Sequence, residues 1–493
     1  MISSTTPKAA GSPDPLGAQR RVCVVGAGYV GLTAAACLAY LGHWVNCVEA
    51  DPDRLRALRQ GQIPIHEPGL DQLVTQGRSS GRLQFYADIE PALRGAEVAL
   101  LCVGTPPQVT GEPDLSHLAT AARQLARAAR DELVIVVKST VPPGSCEALE
   151  LVCADVARQD VRIRVASSPE FLRESRAVED FLAPDRVVIG CDDDDVAELV
   201  ASLYPPASPV VFCDRRGAEL VKYAANTFLA IKISFANEVA QLCEALGTDA
   251  ETVLSGVGAD NRIGSAFLRP GPGYGGSCLP KDVAGFVALG DSVGTRTLLA
   301  AAAEEQNACA RQSVASKLEL ILGSLVGRRI GVLGLAFKEG TDDTRDSPGL
   351  HVVNQLVSAG ADVRTYDPLV GAEAVPGQRM ASLDEAVLGS EAVVITTGCD
   401  EFGAIDPSIL VTGMDGDVVF DAAGVCDLET WSAAGLSVYG IGRGTPLAFH
   451  PVVWTPLCWT NVERATMVPD MAPPQCGPAP LRLGGTAQSR GDR

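Results

Sequence analysis

RVCVVGAGYVGLTAAACLAYLGHWVNCVEAD, residues 21–51, is the stretch that decides the fold. Its opening, Arg21 to Val25, is short, apolar and rich in β-branched valine, which suits a buried strand. The alanine-rich run from Tyr29 reads as a helix, and WVNCVEAD as a second strand. Between the first strand and the helix lies Gly26-Ala27-Gly28-Tyr29-Val30-Gly31. Glycines at these spacings permit a tight turn, the approach of a pyrophosphate to the backbone and close helix packing, with the helix N-terminus facing the phosphates. Glu49 closes the second strand, where a carboxylate accepts hydrogen bonds from ribose hydroxyls and repels a 2′-phosphate. The pattern predicts NAD rather than NADP as cofactor. The glycines alone are a weak signal; the strand–helix–strand context makes it specific.

Further along, Val98–Val103 and Val134–Val137 continue a parallel sheet, and Arg186–Ile189 adds a strand followed by an acidic turn, Asp192–Asp195, read as a solvated loop. Arg216–Leu246 and Leu298–Leu325 read as long helices. A strand then restarts at Arg329, and the chain echoes its own beginning. Arg328-Arg329-Ile330 leads to Leu333-Gly334, and the following strand ends Tyr366-Asp367-Pro368 where the first copy ends Glu49-Ala50-Asp51-Pro52. The predicted fold is α/β, with two Rossmann-like doubly wound domains joined by a long central helix and a helical middle domain. The expected parts are a leader over 1–20, a cofactor domain over 21–212, a helical dimerisation domain over 213–326, a second Rossmann-like domain over 327–444 and a tail over 445–493.

Acidic residues outnumber basic ones 60 to 40, a net charge of −20, which argues against nucleic-acid binding. An anionic ligand needs a local cluster of donors. The 15 cysteines are scattered without CxxC or Cys/His spacing, so no metal site is expected and free thiols in a reducing compartment are. The opening MISSTTPKAAGSPDP is no signal peptide, and no apolar run approaches membrane-spanning length. A cytoplasmic protein without a membrane partner is expected.

The chemistry concentrates in LRPGPGYGGSCLPKD, residues 268–282. Glycines around Tyr274 allow close approach to a ligand, and Cys278 stands within four residues of Lys281 and Asp282. This suits an activated nucleophile as well as it suits a turn with a buried cysteine. Thr105 and Thr140 follow two strand ends, where open sheets bind ligands, and each equally suits a helix cap. Ser168-Pro169-Glu170-Phe171-Leu172-Arg173-Glu174 follows another strand. Glu219, Lys222 and Asn226 share a helix face; Lys222 and Asn226 suit an oxyanion, although the spacing alone also describes a solvated face.

GAGYVG, VGTPP, KSTVPPG, SPEFLRE, ELVKYAANTFLAIKISFANE, DNRIG, GPGYGGSCLPKD and LGLAFKEGTDDTRDSP occur here in order. In this the chain resembles the UDP-glucose/GDP-mannose dehydrogenase family, from about Arg21 to Arg443. The resemblance implies oxidation of a sugar C6 alcohol to a carboxylate with two NAD+ in succession, by a homo-oligomer acting on a UDP-sugar. It assigns Cys278 to attack the aldehyde, giving a thiohemiacetal and then a thioester. Lys222 and Asn226 then stabilise the oxyanion, Asp282 with Thr140 holds a water, and Glu170 serves thioester hydrolysis. Besides the glycine turn with Tyr29 and Val30, it implies cofactor contacts at Glu49, Arg54, Thr105, Thr140, Glu174, Lys281 and Arg345. Substrate contacts fall on Glu170, Phe171, Leu172, Glu174, Lys222, Asn226, Tyr274, Gly275 and Lys338, and Arg262 reaches the sugar nucleotide of a neighbouring subunit. YAANTFLAIKISFANE, DNRIGSAFL and GPGYGG favour the UDP-glucose branch over the GDP-mannose branch, and Ser277 stands where the N-acetylhexosamine branch carries His. An inactive sugar-nucleotide-binding relative is the alternative of another class. The third portion departs from the family at Thr397-Gly398-Cys399-Asp400-Glu401-Phe402 and at Asp421-Ala422-Ala423-Gly424, where an arginine donor is lost.

Overall fold

The computed structural model describes residues 19–371 and 375–443; most of the expected leader and the whole of the expected tail lie outside them. Eight strands form the first sheet: β1 (Arg21–Val25), β2 (Trp44–Val48), β3 (Leu83–Tyr86), β4 (Val98–Leu101), β5 (Leu133–Val137), β6 (Ile163–Ser167), β7 (Val187–Gly190) and β8 (Val210–Cys213). Their spatial order is β3-β2-β1-β4-β5-β6-β7-β8, parallel except where β6 meets β7 through the single antiparallel pair Ser167–Gly190. Six strands form the second: β9 (Arg329–Leu333), β10 (Asp362–Tyr366), β11 (Gln378–Arg379), β12 (Ala392–Ile395), β13 (Val418–Asp421) and β14 (Ser437–Gly440). They run parallel in the order β11-β10-β9-β12-β13-β14. Both sheets reverse strand order beside their first strand, and ligands of open α/β sheets bind at such switch points. The internal echo is therefore structural: β1 and β9 hold the same place.

The central strands VALL (β4) and LVIVV (β5) are buried throughout, since helices cover both faces of the sheet. The helix α1 (Tyr29–Tyr40) packs on the first sheet along its whole length, with Gly31 through Ala39 all buried. Its alanines let it lie close to the strands.

Between the sheets runs α2 (Arg215–Leu246), 32 residues long. Asp214 starts it by accepting a hydrogen bond from the Gly217 amide at 2.7 Å, and Gly247 ends it at φ +68°. The helices α3 (Leu279–Ser292) and α4 (Leu298–Leu322) pack on α2. In the second domain α5 (Pro348–Ser358) follows β9.

One local expectation is corrected. The Asp192–Asp195 run is largely exposed as expected, but it is not all loop, since Asp194 and Asp195 open the helix Asp194–Ala201, and its carboxylates are paired. Asp192 pairs with Arg215 at 2.5 Å, Asp195 with Arg164 at 2.5 Å, and Asp193 lies 3.7 Å from both Arg162 and Arg164. The acids gather around arginines brought there by β6 and by the start of α2, contacts distant in sequence. No helix among the described residues is long and apolar enough to cross a membrane.

Candidate active site

The glycine turn after β1 divides its labour as the spacing predicts. Gly26 has φ +99°, and a Cβ there would sit 2.8 Å from the Cys102 carbonyl oxygen. A Cβ on Gly31 would fall 1.8 Å from the Gly26 oxygen, so only glycine lets α1 come this close. Gly28 faces open space and the head of α1 carries no side-chain cap, leaving amides turned outward for a diphosphate. Glu49 is buried at the end of β2; one oxygen accepts from the Asp51 amide at 2.8 Å and the other lies 3.7 Å from Arg54. This turn, helix head and carboxylate fit a dinucleotide.

Tyr29 opens α1, and its side chain is engaged within the chain. Its phenol bonds to Glu67 and accepts from the Ser175 amide at 3.0 Å, tying the head of α1 to the end of the SPEFLRE segment. Thr105 is likewise no free hydroxyl and no cap. It donates to the Thr140 carbonyl at 3.0 Å and so joins the loops after β4 and β5. That bond follows from β4 and β5 being neighbours in the sheet, which a linear reading does not show.

The cysteine loop is bolted to two helices. Asn237 of α2 accepts from the Gly271 amide at 2.9 Å. Asn307 of α4 accepts from the Tyr274 amide at 2.7 Å and donates to its carbonyl at 3.1 Å, where Arg311 adds a bond of 2.8 Å. Sequence reasoning did not single out these three; the i, i+4 spacing of Asn307 and Arg311 on α4 was the available signal. On its other side the loop meets the second domain. A Cβ on Gly275 would lie 2.2 Å from the Asp346 oxygen, and one on Gly276, at φ +82°, would lie 2.6 Å from the Phe337 ring.

Cys278 stands half-buried at the head of α3. Lys222 and Asn226, one turn apart on α2, are both buried and both turned inward. The Lys222 ammonium donates to Glu170 Oε1 at 3.0 Å, and Asn226 Nδ2 donates to Asp282 Oδ2 at 2.5 Å. Lys281 donates to the other Asp282 oxygen at 2.5 Å, and the Leu172 amide to Glu170 Oε2 at 2.6 Å. Glu219, on the same helix, leaves this group and accepts from the Gly144 and Cys146 amides at 2.7 and 2.8 Å, capping the helix Ser145–Val156. The Phe171 ring lies between the Arg186 guanidinium, 4.0 Å from its centroid, and the Lys222 ammonium, 5.4 Å away.

These groups tune one another. Burial pushes the Cys278 thiol up, Glu170 adds to this, and Lys222 and Lys281 pull against it. Burial alone would raise Glu170, but the ammonium of Lys222, the Leu172 amide and the charge of Lys138 bring its carboxyl below the usual range. For Lys222 burial works downward, yet Glu170, Asp282 and Cys278 hold it above its ordinary value. The result is a thiol facing a lysine that stays charged.

The second domain reaches the site through the loop after β9. Lys338 donates to the Glu174 carbonyl, Thr341 to a Glu174 carboxylate oxygen at 3.3 Å, and Arg345 lies 3.7 Å from the other. Burial first and Asp343 second raise the Glu174 carboxyl to about 7, against the pull of Arg345 and Lys338. Ser277 bridges, 3.5 Å from Glu174 and 3.6 Å from the Cys278 sulfur. At the altered strand end after β13, Arg269 from the start of the cysteine loop donates to the Gly424 carbonyl, so a guanidinium stands beside the position where the family's arginine is missing. Arg262 is not brought to this site. It is exposed and folds onto Asp260 at 2.6 Å. Among the described residues no group of His, Cys, Asp and Glu is placed to hold a metal.

Sequence profiles of the UDP-glucose/GDP-mannose dehydrogenase family match in three consecutive parts: the NAD binding domain over residues 20–208, the central domain over 216–309 and the UDP binding domain over 331–428. A UDP-glucose 6-dehydrogenase of Rhizobium meliloti is 41% identical over 439 residues, covering 86% of this chain and 99% of the relative. One from Pseudomonas aeruginosa is 41% identical over 448 residues, covering 87% and 98%. The solved structure of a UDP-glucose dehydrogenase from Pyrobaculum islandicum superposes with a TM-score of 0.81 at 37% identity, over 88% of this chain and 98% of that one. With a glycine turn built for a dinucleotide, a buried lysine charged beside a half-buried thiol, and relatives matched over nearly their whole length, the chain belongs to the UDP-glucose/GDP-mannose dehydrogenase family as an NAD-dependent nucleotide-sugar oxidoreductase.

Proposed function

We propose that the protein oxidises UDP-glucose to UDP-glucuronate, and that Cys278 carries the sugar covalently between two oxidations. NAD+ bound at the Gly26–Gly31 turn supplies the electron acceptor for each. The thiolate of Cys278 adds to the C6 aldehyde, the thiohemiacetal is oxidised to a thioester, and water releases the acid. Lys222 and Asn226 stabilise the oxyanion, and Asp282, with Thr140, holds the water that moves protons. Glu170 serves hydrolysis of the thioester. Phe171, Leu172, Tyr274 and Gly275 line the sugar, and Lys338 and Arg345 set positive charge against its diphosphate in an acidic chain. The observation that carries this reading is the fixed Lys222–Glu170 and Asn226–Asp282 pairing around a half-buried thiol at a helix head.

The domain limits 21–212, 213–326 and 327–444 belong to the same proposal, the first holding cofactor and the last UDP-sugar. The working unit is at least a dimer built on the central helices. Phe228, Phe235 and Leu242 of α2 are exposed at 62%, 46% and 58%, and their heptad spacing sets them on one face. Arg262, turned to solvent, then serves a neighbouring cleft.

Incubating the full chain with NAD+ and a panel of UDP- and GDP-sugars tests the substrate. Two NADH per UDP-glucose, with little from GDP-mannose, is expected; a reversed preference would move the protein to the other branch. Light scattering tests the assembly, and a fully active monomer would defeat it.

A further inference from the structure

Lys138, just after β5, is only 4% exposed, yet it has no carboxylate partner among the described residues. Its ammonium donates to the Tyr204 phenol at 2.8 Å and to the Pro169 carbonyl at 3.5 Å, and lies 5.4 Å from the Tyr204 ring centroid. Phe181 stacks on Tyr204 with centroids 5.3 Å apart. A buried ammonium whose direct bonds go only to neutral oxygens costs stability, so a fold that needed only packing here would do better with an apolar side chain. Nothing in the reaction described above uses this lysine.

Beside it is a cavity of about 60 Å³ lined by Lys138, Tyr204, Glu170, Arg186 and, from α1, Val30 and Ala34. That space holds a few waters, and its polar lining offers them partners. Lys222 and Cys278 do not line it. Glu170 belongs to both places, paired with Lys222 on the thiol side and exposed to the cavity on the other. Phe171, held between Arg186 and Lys222, also lines the cavity next to Glu170.

We propose that this cavity supplies the water for thioester hydrolysis and that Lys138, held by Tyr204, is the positioning residue that sets Glu170 from behind. The proposal rests on the thioester reading above. In the step itself the water oxygen bonds to the carbonyl carbon and Glu170 takes one of its protons. The carbon–sulfur bond then breaks, and the departing thiolate recovers a proton from Glu170. Thioester and water become thiol and carboxylic acid, with no oxidant consumed. Around Glu170 the charged groups are Lys222 from α2, Lys138 after β5, Arg173 and its partner Asp180 beyond Glu170 in the chain, and Asp185 and Arg186 leading into β7, with the Cys278 thiol beyond. Lys138 acts with Lys222 to hold the Glu170 carboxyl low, so its loss moves that carboxyl upward.

The test uses the full chain and Lys138→Met, mixed with UDP-glucose and excess NAD+ between about pH 4 and pH 8, following NADH by stopped flow and the acyl-enzyme by quenched intact mass. Both oxidations should proceed near the wild-type rate. Acyl-enzyme decay should slow several-fold at the acid end and match wild type at the alkaline end, an acid limb moved up by about one pH unit. The melting temperature should stay near that of wild type, because the burial cost relieved at Lys138 is set against the attraction to Glu170 that is lost. Tyr204→Phe should give the same pattern more weakly, and it carries the test if Lys138→Met does not fold. An unmoved acid limb, or a loss equal at every pH, would overturn the proposal. A wild-type protein that forms no acyl-enzyme would overturn the thioester reading instead, and the wild-type trace tells the two failures apart.

Discussion

The first and second domains begin with the same frame and finish it differently. In the first, the Gly26 amide bonds to the Val48 carbonyl and the Cys102 amide to the Val25 carbonyl, both at 2.9 Å. In the second, Gly334 bonds to Tyr366 and Thr396 to Leu333, again both at 2.9 Å, and the two glycines share φ of +99° and +93°. The carboxylates that follow then part company. Glu49, after β2, accepts from one backbone amide. Asp367, after β10, accepts from four: Leu335, Ala336, Leu369 and Val370, at 2.7 to 3.1 Å. The helix heads differ likewise. That of α1 has no side-chain cap, while Ser347 caps α5. A Rossmann frame offers a dinucleotide site only where its carboxylate and helix head are left for the ligand. In the second domain the chain's own loop has taken those places, and the same loop reaches across to Glu174.

Four experiments bear on this contrast. The largest effect is expected at the thiol, which lies where the two domains meet. Cys278→Ser should lower steady-state NADH formation by about three orders of magnitude or more while UDP-sugar binding survives. Cys243→Ser, a buried thiol of α2, should leave turnover near wild type. Normal turnover by Cys278→Ser would refute the covalent step.

The paired carboxylates come next. Asp367→Ala should cost about 3 kcal/mol of stability by stranding buried amides, with the KM for NAD+ unchanged. Glu49→Ala should do the reverse, raising that KM by about tenfold and narrowing the preference over NADP+ at nearly constant stability. If both variants lose the same property, the distinction between the domains disappears. The helix heads give a weaker version of the same crossing. Ser347→Ala should cost about 1 kcal/mol in denaturant without touching cofactor affinity. Gly28→Ala, whose Cβ meets nothing within 4 Å, should weaken NAD+ binding and spare the fold.

The smallest effect concerns the contact between the domains. Burial raises Glu174 from 4.5 to about 7 in the folded protein. A carboxyl raised on folding contributes stability that is full below its unfolded value and is lost as pH climbs through its folded one. Denaturant titrations should therefore show wild type losing about 1–2 kcal/mol relative to Glu174→Gln between about pH 5 and pH 8. Parallel pH profiles for the two proteins would rule out this linkage.

Much of this molecule is written locally. The GxGxxG turn, the echo at Gly334 and the long helix from Arg215 to Leu246 each follow from periodicity and punctuation within a few dozen residues. That Lys222 and Asn226 share a helix face was also readable, because one face repeats every three or four residues, but their spacing equally described a solvated face and did not show that it turns inward. What the sequence hid depends on distant partners. Thr105 is spent on Thr140 because their strands are neighbours, Asp192 finds Arg215, and Glu219 leaves its own face to cap another helix. Lys138 was visible only as part of KSTVPPG. Its burial beside Tyr204 depends on β5 and β7 standing on either side of β6.

The paired glycines at 275 and 276 carry a consequence for variation. They allow two domains to close on a single loop with almost no thickness, against the Asp346 oxygen and the Phe337 ring. A library randomised across residues 268–282 and selected only for folded, closed protein should return glycine at both positions even when Cys278 is already replaced. Selection there would act on clearance. The identity of the loop as a hinge surface would outlast its identity as a catalytic one, and a descendant that lost its chemistry would keep its two glycines.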